Sequence, residues 1–531
     1  MPTRSIHVLL IVLGLFALSG CTSQSAVENE IDVEIGTGAP MNPGVFAANN
    51  TVCTPANLPA SESFRELVKA LGVTAMRYPG GSTASFFDWE TAHFIPEPEI
   101  TRIWRRETNW VVQNLTEPVS RMPVGTLSPM NFANFTLATG MTAQWVPNVT
   151  TRADKVVGMF EHLKQNGVDV KYVEMDNEAY FWSNEFGIDA ASGRRYADRV
   201  AEIAPQIREL YPDVQIGMVT REDDLFVAHH SKEKEKTGDA RFEHWNEHVL
   251  ADRMLEHFDA IILHHYVMQR SRLDPYDNDT DRAAAFLAFP QVTLERGAGL
   301  IHERYGDIPM WITEYNVIAY HTPRAGNSPS DQWMNATKYS AWSALYQASY
   351  WLTGLSRPDA IGILNHHSIN NIDIGWGLGI NISTEEVDLT SSGQLFAHLA
   401  HLAKAHDTMH PLHFENGPEL GIAIEDIETV PALYGAAMQS EAKQTLVIMN
   451  RGSQNLTVEI DAESKTADVT TYRAEQQVEK SVRVQINHPE RAFWEQGPMT
   501  PERNTLKAGF MQDDLNVDLP AWSLTIIEID R

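Results

Sequence analysis

A (β/α)8 barrel followed by an antiparallel β-sandwich is the architecture that this 531-residue sequence predicts. Three observations carry the expectation. Between about residues 40 and 410, eight short apolar runs alternate with amphipathic stretches, the mark of strands buried on both faces in a parallel sheet. After residue 412 the apolar residues switch to period two, with polar turns between runs. The length suits one large barrel with a smaller partner, since domains run to roughly 100–200 residues.

The chain opens with Arg4 and then an uninterrupted apolar run, Val8 to Leu18, of 11 residues. A spanning helix needs about 20 apolar residues, so the run fits the apolar centre of a signal peptide. It closes Leu18-Ser19-Gly20-Cys21, which resembles the lipobox of bacterial lipoproteins. The resemblance implies cleavage of residues 1–20, lipidation of Cys21 and, since Thr22 is not Asp, an outer-membrane address. An ordinary secretory signal with a chance cysteine is the alternative. Loss of Arg4 takes the formal charge from −29 to −30, and Cys53 is left without an intramolecular partner. Two cysteines cannot form a disulfide framework. A strong acidic surplus excludes sequence-independent binding to nucleic acid, which needs clustered Lys and Arg.

Residues 21–39 form a tether and a short alternating segment, Val27–Ile35, expected to pair with the sandwich. Residues 40–411 form the barrel, with strands centred near Phe46, Met76, Trp145, Val173, Gly217, Ile262, Trp311 and Gly362. A helix over 152–166 buries Val156, Phe160 and Leu163, with Thr151 as a possible N-cap and Gly167 past its end. Residues 331–355, rich in Trp, Ala and Tyr, read as a second long helix. Roughly residues 80–140 make a long loop between the second and third strands, on the face where barrel enzymes bind substrate. A doubly wound sheet is the structural alternative, but the sequence carries no Gly-rich nucleotide loop. Residues 412–531 form the sandwich.

Polar residues at the C-terminal ends of barrel strands are the first candidates for chemistry. The fourth strand ends Glu174-Met175-Asp176-Asn177-Glu178, and the seventh ends Thr313-Glu314-Tyr315-Asn316. Glu178 and Glu314 therefore face one axial cleft, and a pair of carboxylates there is what glycoside hydrolysis requires. The plain reading of either glutamate alone is a surface carboxylate. The sixth strand ends His264-His265-Tyr266 and the eighth Asn365-His366-His367. Successive strand residues point opposite ways, so each His-His pair places one imidazole in the barrel, which disfavours a metal hydrolase. No metal and no cofactor are expected. Trp145 on the third strand and Trp376, flanked by Gly375 and Gly377, are candidate sugar platforms, with packing as the alternative. Trp89, Trp104, Trp110 and Trp182 lie in long loops and are weaker candidates. Arg102, Arg105 and Arg106 form a basic patch that either pairs with neighbouring glutamates or reads an anionic glycan.

Several of these motifs carry a resemblance that spans most of the chain. Asp176-Asn177-Glu178 resembles the acid/base signature of the clan A (β/α)8 retaining glycosidases, and Trp311 to Asn316 resembles their nucleophile strand. Met76-Arg77-Tyr78-Pro79-Gly80-Gly81 with Asp88-Trp89, Met41 to Phe46, and Leu519 to Ser523 are similar to segments of the α-L-arabinofuranosidases of that clan. The resemblance implies Glu178 as general acid/base and Glu314 as nucleophile. It also implies that Asn177 binds the sugar 2-hydroxyl, Arg77 keeps Glu314 ionised and Tyr266 hydrogen-bonds the nucleophile. His264 and Asp88 join the candidate substrate-binding residues. Asp176 replaces the commoner Gly, and Ser82 an Asn often seen after the Gly pair, so β-xylosides and agar- or carrageenan-type galactans stand as alternatives to arabinofuranosides. A non-catalytic glycan-binding lipoprotein is the reading from another class. The expected partners are a polysaccharide or oligosaccharide and, through Cys21, a membrane; oligomeric state is open.

Overall fold

A computed structural model of the chain describes residues 31–49, 62–95, 125–182, 185–187, 189–221, 244–266, 273–317, 340–369, 377–381, 387–462, 464, 466–474, 481–485, 492–496, 499–507 and 514–531. Eight strands close a parallel barrel in chain order. They are β1 (Ala47–Asn49), β2 (Ala75–Tyr78), β3 (Thr142–Trp145) and β4 (Tyr172–Glu174). Then follow β5 (Gln215–Val219), β6 (Ala260–His265), β7 (Met310–Tyr315) and β8 (Ile361–His367), with β8 pairing back onto β1. Each apolar run of the sequence is thus a barrel strand or ends in one; Phe46 closes the 3-10 turn Pro43–Phe46 that leads into β1.

The barrel floor is filled by large side chains that small ones make room for. Trp311 packs edge-on to Tyr172, ring centroids 5.5 Å apart. A Cβ on Gly217 would stand 2.4 Å from Ile262 Cδ1, and one on Gly362 would stand 2.8 Å from Trp311 Cδ1. Both distances are too short for a Cβ unless Ile262 or the Trp311 ring shifts, so these glycines serve close approach rather than a turn. Above this floor β7 carries an irregularity. Leu263 pairs with Ile312 but His264 with Glu314, so Thr313 is an extra residue on β7. Bulges beside active sites re-aim a side chain. Here the bulge turns both Thr313 and Glu314 inward, while Tyr315 points out to stack on Tyr350 at 4.3 Å.

Helices cover the barrel. Ala153–Gln165 buries Val156, Phe160 and Leu163, but its N-cap is Arg152; the Thr151 hydroxyl instead donates to Asn148 O. Ala341–Ser356 is buried on nearly every face because it lies among the helices Asp279–Tyr305 and Ser391–Lys404, β8 and the second domain's sheet.

The second domain begins with β9 (Thr408–Glu415), separated by three residues from the helix Ser391–Lys404. Its other strands are β10 (Leu433–Gln439), β11 (Lys443–Asn450), β12 (Leu456–Asp461) and β13 (Thr466–Arg473). Further on come β14 (Ser481–Gln485) with β15 (Ala492–Gln496), a separate hairpin, then β16 (Glu502–Lys507), β17 (Asp514–Leu519) and β18 (Ser523–Asp530). One strand serves two sheets. Thr408–Pro411 pairs with β10, whereas Leu412–Glu415 pairs with the N-terminal strand Ile31–Ile35, which also lies parallel to β12. The two layers close over Leu412, Leu446, Ile448, Val458, Val517 and Ile527. The outer face of the β10–β11–β18 layer packs on the barrel. There a fully buried Arg451 donates to Gln291 Oε1 at 2.7 Å and lies over the Tyr434 ring at 5.3 Å.

Candidate active site

The C-terminal ends of β1, β2, β4, β6, β7 and β8 converge on one polar cluster whose hub is Arg77. This guanidinium is wholly buried, and its fork is filled. Nε and one terminal nitrogen donate to the two oxygens of Glu174 at 2.7 and 2.6 Å, a bidentate pair. The same terminal nitrogen reaches Asn177 Oδ1 at 2.7 Å, and the other donates to Glu314 Oε1 at 2.7 Å. Thr313 Oγ1 at 3.1 Å and Gln144 Nε2 at 3.2 Å complete the shell of Glu174, and Asn365 donates to Gln144 at 2.7 Å. A buried charge is tolerated only when paired and hydrogen-bonded, and both partners here satisfy that condition.

Glu314 is held on its other oxygen by the Tyr266 hydroxyl at 2.8 Å. Burial alone pushes its carboxyl up. The His264 imidazolium, Arg77 and Tyr266 outweigh that and hold Glu314 well below the usual carboxylate range. His264 in turn is pushed down by burial but pulled up to about 10 by the carboxylates of Glu314, Glu174 and Glu178, so it is a cation at neutral pH. Its Nδ1 donates to Glu178 Oε1 at 3.0 Å and lies 3.6 Å from Glu314 Oε2. Those two oxygens are therefore no farther apart than the sum of the two distances, 6.6 Å. On the β1–β8 side, Asn49 Nδ2 faces Glu314 at 3.4 Å and donates to His367 Nδ1 at 2.8 Å. Burial, with Arg77 and His264 nearby, pushes His367 below its ordinary range against the pull of Glu314, and the neutral ring accepts from Asn49.

The His-His pairs divide as strand alternation requires. His264 and His367 face the cleft. His265 points outward to Tyr350 and Thr293, at 2.9 and 3.1 Å, and His366 lies edge-on to outward-facing Tyr315. Among the described residues no group of three or more His, Cys, Asp or Glu is disposed to hold a metal ion.

Glu178, Glu314, Asn177, Arg77, Tyr266 and His264 are thus brought together. Trp145 is not among them. It points outward from β3 and is fully buried between Tyr78 and Phe132, at 5.8 and 5.6 Å, so it has no face open to a sugar and is a packing residue. Its place on the strand is of the wrong parity: Gln144 is the inward residue. Asp88 also stands apart, paired with Lys155 at 2.8 Å, and Trp89 packs against the same helix through Lys155 O. Cys21, Trp376, Trp104, Trp110 and the arginines 102, 105 and 106 lie outside the described residues, as does the side chain of Trp182.

Sequence reasoning passed over Glu174 and Asn49, and did not say which histidine of the eighth strand faces the cleft. Glu174 carried a readable signal, a charged residue inside an apolar buried strand. Asn49 carried none, because its role depends on β8 closing against β1.

No family model matches this chain, and no curated protein matches it by sequence. Its fold is similar to solved structures. A family 51 α-L-arabinofuranosidase from Bifidobacterium longum aligns at TM-score 0.64 and 17% identity, over 94% of this chain and 99% of that one. An α-L-arabinofuranosidase from Thermotoga maritima aligns at 0.62 and 16%, over 94% and 100%. A family 44 xyloglucanase from Paenibacillus polymyxa aligns at 0.55 and 10%, over 94% and 99%. At such identities the likeness is one of fold: a (β/α)8 barrel with a C-terminal β-sandwich.

Proposed function

We propose that the protein is a retaining glycoside hydrolase, with Glu314 as nucleophile and Glu178 as general acid/base. One observation carries the reading: a single imidazolium nitrogen lies 3.0 Å from one carboxylate and 3.6 Å from the other. The 6.6 Å upper bound this sets on the two oxygens accords with retaining pairs, separated by about 5–5.5 Å, rather than with inverting pairs at about 6.5–9.5 Å. Glu314, kept ionised by His264, Arg77 and Tyr266, attacks the anomeric carbon as Glu178, protonated for this step in place of the carboxylate that pairs with His264 in the free site, gives its proton to the leaving oxygen. A covalent glycosyl ester forms and the aglycone leaves. Glu178, now ionised and paired with His264, takes a proton from water, whose oxygen displaces Glu314. Asn177 spends its oxygen on Arg77, leaving a buried Nδ2 with no protein partner among the described residues, a donor for a sugar hydroxyl.

For substrate, the reading favours α-L-arabinofuranosides, supported by the folds named above and by the motifs around Arg77 and Glu178. Residues 1–21 support an exported, outer-membrane lipoprotein tethered through Cys21. Glu314→Ala is expected to abolish turnover, and Glu178→Ala to regain it with azide on activated aryl glycosides. Full activity in Glu314→Ala overturns the assignment. A panel of plant and algal polysaccharides, with products resolved by mass, separates arabinofuranosides from xylosides and galactans.

A further inference from the structure

The turn that presents Asn177 and Glu178 is conformationally unusual. Asp176 has φ 74° and Glu178 φ 44°, both in the left-handed region that non-glycine residues enter at a cost. Asp and Asn bear it best, because a short polar side chain can bond the local backbone. Asp176 does so: its Oδ1 accepts from Asn177 N at 2.7 Å. It does more than that. The same oxygen accepts from the Ser85 hydroxyl at 2.6 Å, and Oδ2 accepts from Val149 N at 2.9 Å. Ser85 follows β2, and Val149 follows β3. The Ser85 hydroxyl also lies 3.2 Å from the Asn177 carbonyl oxygen. One wholly buried carboxylate therefore joins three loops at the mouth of the barrel.

We propose that Asp176 is a positioning residue: it ties the loops after β2 and β3 to the acid/base turn and so aims Glu178 at His264, while Arg77 holds the Asn177 side chain. Its oxygens are bonded to Ser85, Val149 N and Asn177 N rather than to Glu178 or Glu314, so it acts through its neighbours. Burial pushes its carboxyl up to about 6 despite its three donors, so an ionised group is kept where an apolar filler would be easier to bury. The inference rests on Glu178 being the general acid.

The test compares kcat/KM for alkyl and 2,4-dinitrophenyl glycosides of the sugar the wild-type enzyme hydrolyses. The alkyl leaving group needs protonation by Glu178, and the dinitrophenolate does not. A misaimed general acid is expected to cost about 30-fold or more on the alkyl glycoside, a part of the roughly 100- to 10,000-fold that such a group is worth, and under about threefold on the aryl one. Asp176→Asn and Asp176→Gly are each expected to behave so. Glycine accepts φ 74° without strain, so its loss isolates the tie from the turn. Ser85→Ala, which keeps the carboxylate, is the third variant, with a smaller loss again confined to the alkyl substrate. Equal losses on both glycosides, or no loss in all three variants, overturn the proposal. Glu178→Ala without the alkyl-selective loss overturns instead the catalytic reading beneath it.

Discussion

Glu174→Gln tests the hub of the site. Glu174 holds Arg77 through two hydrogen bonds of 2.7 and 2.6 Å with both groups fully buried. A glutamine keeps the shape, but only one oxygen accepts, and its amide N–H meets an Arg77 N–H. Breaking a buried pair costs about 3–5 kcal/mol. Arg77 retains Glu314 and Asn177 as acceptors, so the lower end, about 3 kcal/mol, applies. At about 2.1 cal/mol/K per residue over a barrel of roughly 370 residues, that is a fall in melting temperature of about 4 °C. Catalysis suffers more, because the guanidinium that orients both Glu314 and Asn177 loses its anchor. A shift of about 1 Å costs on the order of 100-fold in rate. Thermal melts by circular dichroism and kcat/KM on one aryl glycoside measure the two effects. A melting temperature within 1 °C of wild type together with activity within about threefold refutes the reasoning.

Tyr266→Phe removes one hydrogen bond to Glu314 at 2.8 Å, and a fall of about 10-fold in kcat is expected, read by steady-state kinetics. Trp145→Ala removes a core indole, and a loss of about 3–5 kcal/mol by chemical denaturation is expected, with KM of the folded fraction unchanged; a raised KM would restore it to the substrate-binding set. His264 has a folded pKa near 10, above its ordinary value of 6.5, so its protonated form adds stability in full below pH 6.5. That contribution declines above pH 6.5 and is lost as pH rises through about 10. Wild type is expected to lose melting temperature more steeply than His264→Asn across this range, and parallel curves would count against the imidazolium.

How much of this was legible depends on which physics each feature rests on. The barrel strands were readable because burial on both faces writes continuous apolar runs, and each of the eight lies within or next to a strand of the structure. Glu178 and Glu314 were readable because a carboxylate at the end of such a strand is a local anomaly. The division of the His-His pairs followed from alternation alone. Trp145 failed by the same rule, since parity turns it outward and an aromatic residue looks alike in the core and in a cleft. The β9 strand went unread over its first half because one run serves two sheets, and the period-two signal is diluted where the partner changes. The charge states of the site were settled only by assembly. Arg77, Glu174, His264 and Glu314 come from four different strands, and buried Coulomb interactions between them depend on separations of a few ångströms that no local pattern encodes. The sequence thus carried the scaffold and its two carboxylates, which are properties of single segments. Closure of the barrel decided which side chains meet and which of them are charged, because those properties belong to pairs of residues far apart in the chain.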